Sequence, residues 1–448
     1  MSQREELSRR AFLTSTGMTA LASVVGAATP EPAKASPTAV TKFDFDTPYS
    51  RIGTDSVKWD EQIRTFGKDN ITVGMGTADM DFKTAPCITE ALNKRLQHEN
   101  WGYLDMPPSF AEGIIKWNKR RYSIDINPES LVITTGVHPG LIAALRTFSP
   151  PGSKVLLLTP TYDGFYSDIS FVGCKPEESL MKIVDGRYSI DFDDLERRIS
   201  HDTNTLILCN PQNPTGNCWS PEDLMRVGEI CTRRRVVVLA DEIHCDFVNK
   251  GQKYTPYATL PNKDMVKNSI TFKAASKSFG LAAMKCAWFF SDNLDYVARV
   301  RANNRADLTT LGMIASRAAY AGGEEWLDQL VSYIDGNFDF AESFIKANIP
   351  LIKFVKSQGT YLAWLDVSKV ADKISAKELA AEASKGAAKP VTAEIIVQRH
   401  FISMAKVHMN PGSSYGYGGA GHMRMNIATS RKTLELALNN LAAALKKA

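Results

Sequence analysis

The sequence has 448 residues, 44% hydrophobic and 23% charged, with a formal net charge of +4. That length exceeds one ordinary core and predicts two domains of a soluble globular chain. The small positive charge is spread without a basic block or interleaved aromatics, so nothing marks a nucleic-acid partner.

The chain opens with an address. Ser8-Arg9-Arg10-Ala11-Phe12-Leu13 has the form of a twin-arginine export signal. A weakly apolar stretch follows, then Pro30, Pro32 and a small-x-small cleavage site at Ala33-Lys34-Ala35. Residues 1–35 are read as a signal peptide handled by the twin-arginine translocation machinery, which predicts a periplasmic protein. No later stretch approaches about 18 uninterrupted apolar residues, so no membrane span is expected in the mature chain.

From Thr41 the chain is polar and turn-rich, and residues 72–82 enter as a short strand with a glycine-softened turn. Pro86 starts a helix with apolar residues at helical spacing, and residues 110–122 read as a second. Residues 131–136 form a strand, and a helix follows from Pro139. Strands are then expected at 155–158, 205–209, 236–240, 269–272 and 286–290. Between two of them lies a helix over 221–233, capped by Ser220 and started by Pro221. Short apolar runs separated by helices mean an α/β fold on a mostly parallel sheet, buried on both faces. From Glu324 the texture changes to long helices, a strand near 359–365, another over 423–428 and a final helix over 431–446. The Ala- and Lys-rich run 369–390 reads as a surface insertion. Residues 85–323 are assigned to a large domain. Residues 36–84 and 324–448 are assigned to a smaller α/β domain.

Seven cysteines are spaced without a Cys-x-x-Cys pair, so neither a zinc site nor a redox motif is expected and no metal is assigned. Several lie in apolar runs, which predicts buried free thiols.

Ligands bind beyond the carboxyl ends of parallel strands. Gly136, Tyr162, Asn213, Asp241 and Lys277 all fall just past expected strand ends. Three of them, Asn213, Asp241 and Lys277, come in the order that a pyridoxal 5'-phosphate site requires. The lysine forms a Schiff base, the aspartate pairs with the ring nitrogen and the asparagine bonds the ring hydroxyl. Taken singly, each has an ordinary reading as a surface lysine, a capping aspartate or an Asn-Pro turn. The cofactor reading also fits the address, because the twin-arginine route carries proteins already folded around their cofactors.

These residues resemble those of fold type I pyridoxal phosphate enzymes of the class I and II aminotransferase group. More narrowly, the chain resembles the carbon–sulfur β-lyases of the MalY/PatB type, over essentially all of residues 43–445. The narrower likeness rests on Ser56-Val57-Lys58-Trp59-Asp60, Ala78-Asp79-Met80-Asp81-Phe82, Trp101-Gly102-Tyr103, Tyr162-Asp163-Gly164-Phe165-Tyr166 and Asp241-Glu242-Ile243-His244. The resemblance implies a large domain with a seven-stranded sheet between helices, and a small α/β domain. It implies that Lys277 carries the cofactor and then removes the Cα proton. Asp241, Asn213, Tyr162 and His244 surround the ring, with His244 a mark of the lyase branch. Gly136 and Val137 at a helix start, with Ser276 and Lys285, hold the phosphate. Arg424 grips the substrate carboxylate in two-pronged fashion, and Ala78 lies on the substrate side. Tyr103 reaches the phosphate in the site of a neighbouring subunit, which implies a homodimer with shared sites.

The expected reaction is β-elimination from an S-substituted L-cysteine, giving a thiol, pyruvate and ammonia. The alternative is transamination of an amino acid or an exported amine-bearing metabolite. Four positions depart from the relatives. Gly76-Thr77 stand where these lyases carry tryptophan and valine, which predicts a roomier substrate side. Lys285 stands where many aminotransferases carry a phosphate-binding arginine, and Ala274 where many carry a hydroxyl.

Overall fold

A computed structural model describes residues 42–447. The export signal read at residues 1–35 lies outside the described residues. Seven strands build the main sheet: β1 (Val132–Thr134), β2 (Lys154–Thr159), β3 (Lys175–Leu180), β4 (Thr203–Cys209), β5 (Val237–Asp241), β6 (Ser269–Lys273) and β7 (Ala287–Phe290). Their order is β1-β7-β6-β5-β4-β2-β3. β7 runs antiparallel to both neighbours, and every other pairing is parallel. The apolar runs of the sequence thus fall where expected. β3 is the strand that sequence reasoning missed, because Lys175-Pro176-Glu177-Glu178 is polar and carries a proline. It pairs with β2 alone, at the sheet edge, where both features are tolerated.

Helices cover both faces. α1 (Pro86–Leu96), α2 (Pro108–Tyr122), α3 (Val137–Phe148), α4 (Gly164–Phe171) and α5 (Pro221–Arg233) precede or connect the strands, and α6 (Glu324–Asn348) and α7 (Arg431–Lys447) follow them. Alternation within β2 decides which core each residue joins. Val155 and Leu157 pack with Leu141 and Leu145 of α3. Leu156 and Leu158 pack with Leu224 and Val227 of α5. α5 begins where its caps dictate: Ser220 Oγ accepts from Asp223 N at 3.0 Å, and Asp223 Oδ2 accepts from Ser220 N at 3.3 Å. Loss of such a cap costs about 1 kcal/mol.

A second, three-stranded antiparallel sheet holds β8 (Leu362–Asp366), β9 (Asn410–Pro411) and β10 (His422–Asn426), in the order β8-β10-β9. Residues Val73–Gly74 pair parallel with Val407–His408. One core joins Phe45, Trp59 and Met75 to Phe338, Leu362 and Leu438, so the segment before α1 packs with the C-terminal half. The run 369–390 carries two short helices, Ser368–Lys373 and Ala376–Ser384. All seven cysteines are free, six of them buried and Cys87 partly so. Among the described residues no helix is long and apolar enough to cross a membrane.

Candidate active site

A cavity of about 450 Å³ opens at the carboxyl ends of the parallel strands. Ten of the residues singled out in the sequence line it: Ala78, Gly136, Val137, Tyr162, Asn213, Asp241, His244, Ser276, Lys277 and Lys285. They come from the segment before α1 and from the ends of β1, β2, β4, β5 and β6, as a parallel sheet requires. Arg424 of β10 stands behind the wall: its Nη1 donates to Asn213 Oδ1 at 3.1 Å and its Nη2 to Gly76 O at 2.8 Å. Tyr103 is not in the cavity of its own chain. It is fully exposed, in the irregular run between α1 and α2.

Burial shapes the chemistry of the two central groups. Lys277 Nζ donates to Ala78 O at 2.8 Å. Its surroundings exclude water and bring its pKa down to about 8, against the pull of Asp79 and with help from Arg424. The amine is therefore neutral above about pH 8 and available as a nucleophile. Asp241 ends β5 and accepts one hydrogen bond, from Ile243 N to Oδ1 at 3.1 Å. Burial pushes its carboxyl up to about 6. A carboxylate held so dry gains from a cationic partner. His244, also buried, is driven well below the usual histidine range by burial and by Lys277 and Arg424. It is therefore neutral.

Two buried polar atoms here have no hydrogen-bond partner among the described residues, His244 Nδ1 and Arg424 Nε. Arg424 is buried over the Tyr415 ring, 5.0 Å from its centroid, and makes no ion pair among the described residues. A buried guanidinium without a carboxylate is expensive unless a ligand supplies one. At the other end of the cavity, the N-terminus of α3, the Ser276 hydroxyl and the Lys285 ammonium form a donor set for an anion. Amine, dry carboxylate and anion cradle thus share one cavity, and this donor set fits pyridoxal 5'-phosphate.

The motifs at 56–60 and 78–82 turn out to be one device. Lys58 Nζ donates to Asp81 Oδ2 at 2.6 Å and to Asp79 O at 3.0 Å, and Trp59 Nε1 donates to Asp81 Oδ1 at 2.9 Å. Arg51 pairs with Asp79 at 2.7 Å. Lys58 and Asp81 are buried, so this pair fixes the segment whose Ala78 carbonyl receives Lys277.

Gly76-Thr77 do not open the substrate side as the sequence suggested. Neither residue lines the cavity. A Cβ on Gly76 would meet Asn410 Oδ1 at 2.3 Å and His408 Cε1 at 2.6 Å, so the space is already filled by those side chains. Gly76→Trp is accordingly expected to prevent folding. Gly76→Ala is expected to cost about 1–3 kcal/mol through overpacking, read as a lower urea midpoint. An unchanged midpoint would mean that His408 and Asn410 yield freely.

Sequence reasoning also missed His138 and Asp168. His138 lines the cavity and Asp168 sits buried beside it, with Nδ1 2.6 Å from Asp168 Oδ2. The available signal was position: His138 follows Gly136 and Val137 in the same turn past β1.

A family model, Aminotransferase class I and II, matches residues 70–441. The chain belongs to this family. Within the family it sits with the PatB and MalY branch. It is 37% identical to cystathionine β-lyase PatB of Bacillus subtilis, over 90% of this chain and all of PatB. It is 30% identical to protein MalY of Escherichia coli, over 90% of this chain and 99% of MalY. Cystalysin from Treponema denticola, whose crystal structure contains pyridoxal 5'-phosphate, superposes with a TM-score of 0.83 at 29% identity, over 91% of this chain and all of cystalysin.

Proposed function

We propose that the protein is a pyridoxal 5'-phosphate-dependent carbon–sulfur β-lyase that cleaves S-substituted L-cysteines such as cystathionine. The cavity supports the first step common to the family, and the 37% identity to PatB along its whole length carries the choice of elimination.

Bound in the cavity, the cofactor supplies an electron sink for the charge left when the substrate loses its Cα proton. Lys277 would hold the cofactor through Nζ, and the same nitrogen would take the Cα proton of the substrate. Asp241 would hold a proton on the ring nitrogen. Asn213, whose Oδ1 accepts from Arg424, would turn its amide N–H to the ring oxygen. Tyr162 walls one side. The backbone N–H groups at the start of α3, Ser276 and Lys285 would hold the phosphate. Arg424 would receive the substrate carboxylate, a partner it lacks among the described residues. The Cβ–S bond then breaks with its electron pair on sulfur. The thiolate takes a proton, and water converts the released aminoacrylate to pyruvate and ammonia.

The test is incubation of the purified protein with cystathionine, assaying pyruvate, ammonia and thiol. The family model favours a second reading, transamination. That reading would replace the first if amino acid plus keto acid pairs give new amino acids while cystathionine gives no pyruvate.

Two further parts of the reading concern the whole molecule. Tyr103, exposed on its own chain, would serve the cavity of a second copy in a homodimer. Mixing inactive Lys277→Ala and Tyr103→Phe subunits should then restore activity, since one site of each hybrid is intact. No recovery despite subunit exchange would refute shared sites. The paired arginines at Arg9 and Arg10 support export to the periplasm by the twin-arginine route. Arg9→Lys with Arg10→Lys should leave active enzyme in the cytoplasm. Activity still recovered from the periplasmic fraction would overturn this.

A further inference from the structure

Tyr162 reaches the cavity, but its hydroxyl is not free. It lies 3.3 Å from His138 Nε2, and the other ring nitrogen of His138, Nδ1, lies 2.6 Å from Asp168 Oδ2. Asp168 is buried on α4 and makes no other ion pair among the described residues. The approach of the two rings depends on Gly164. A Cβ there would come within 2.5 Å of His138 Cε1 and 2.6 Å of Tyr162 Cε1. The ring centroids stand 5.5 Å apart. Three elements, the start of α3, the turn past β2 and α4, are thus shaped to bring a carboxylate, an imidazole and a phenol into line.

The chemistry of the line follows from its first member. An ionised carboxylate only accepts, so Nδ1 of His138 carries a hydrogen. Nε2 is then the atom that titrates. When His138 is neutral, Nε2 accepts the Tyr162 hydroxyl proton. When His138 is charged, Nε2–H donates to the Tyr162 oxygen instead, and the phenolic proton must turn away. A single proton on His138 therefore reverses one hydrogen bond at the cavity wall.

We propose that His138, held by Asp168, is a positioning residue that sets the Tyr162 hydroxyl by its own protonation: holding it when neutral and releasing it as a donor toward the cavity when charged. This rests on reading the cavity as a pyridoxal phosphate site only in naming what the released donor would face. The groups facing His138 are Asp168 and Asp241, which favour its charge, Lys277, which opposes it, and Tyr162. The N-terminus of α3 also disfavours a cation. Asp168 is the largest influence and outweighs burial, so the proton is held more tightly than by a free histidine. That places the change above the midpoint of an ordinary histidine.

The experiment uses the purified holoenzyme. Visible circular dichroism of the bound cofactor, followed between about pH 5 and 9, should show one transition. Asp168→Asn should move its midpoint to lower pH. His138→Gln keeps an amide beside Tyr162 but cannot titrate, and it should abolish the transition while the cofactor stays bound. The His138 side chain is 43% exposed, so this change has room. Tyr162→Phe should abolish it as well. A transition that persists in His138→Gln, or a midpoint unmoved in Asp168→Asn, overturns the proposal. A second readout needs no cofactor. The His138 ring Cε1–H resonance, assigned by its loss in His138→Gln, should titrate above the ordinary histidine midpoint, and a lower midpoint sinks the idea. Absence of pyruvate from cystathionine would defeat the lyase reading and leave both titrations to decide this one.

Discussion

Lys277→Ala should lose turnover by about 10⁴-fold or more, because one nitrogen serves two roles. It carries the cofactor, and it accepts the Cα proton. The structure explains why another lysine should not substitute. Lys277 Nζ is placed by its bond to Ala78 O, and the segment bearing Ala78 is pinned by the buried Lys58–Asp81 pair. Lys285, also on the cavity, lies beyond the short 3₁₀ turn Ala282–Met284 that follows Lys277. Borohydride reduction of the wild type should trap the cofactor covalently on Lys277, read by peptide mass spectrometry. Label on Lys285 or on Lys273 would overturn the assignment. Added methylamine should restore part of the proton-transfer rate in Lys277→Ala but not covalent retention of the cofactor.

The parallel strands and their order of function were legible because buried strands write themselves as apolar runs. Val236 to Ala240 and 205–209 could hardly be anything else. Asn213, Asp241 and Lys277 were legible because each follows such a run. What escaped notice depends on contacts between distant segments. β3 is polar because one of its sides has no neighbour. Lys58 and Asp81 lie 23 residues apart, with the short helix Gln62–Phe66 and the strand Val73–Gly74 between them, and only folding makes them one device. Gly76 looked like an open door, yet the space beside it is taken by His408 and Asn410, which arrive from the far end of the chain. His138 looked like one more residue in a helix start. Its meaning comes from Asp168 on a different helix, and no spacing in the sequence joins them.

Asp241→Ala should separate function from stability, since the two should move in opposite directions. Turnover should fall on the order of a thousandfold, about 4 kcal/mol of transition-state stabilisation, because nothing then keeps the ring nitrogen protonated. The cofactor should still load, since Lys277 lies on another segment. The cofactor-free variant should meanwhile be more stable than the cofactor-free wild type above about pH 6. The reason is the sign of the shift. Burial raises the Asp241 carboxyl from 3.8 to about 6 in the folded protein, so its ionisation opposes folding. The cost is absent below the unfolded value, grows as pH rises between the two, and stays at full size above the folded one. A shift of that size is on the order of 3 kcal/mol. The lost hydrogen bond from Ile243 N takes back about 1 kcal/mol of the gain. Urea unfolding of both cofactor-free proteins at pH 4 and pH 7.5 reads the difference. A stability gain at pH 7.5 that shrinks at pH 4, together with the loss of turnover, is the expected pair of results. Equal loss of stability at both pH values would mean that Asp241 is there to hold the fold, and its assignment to the ring nitrogen would fail.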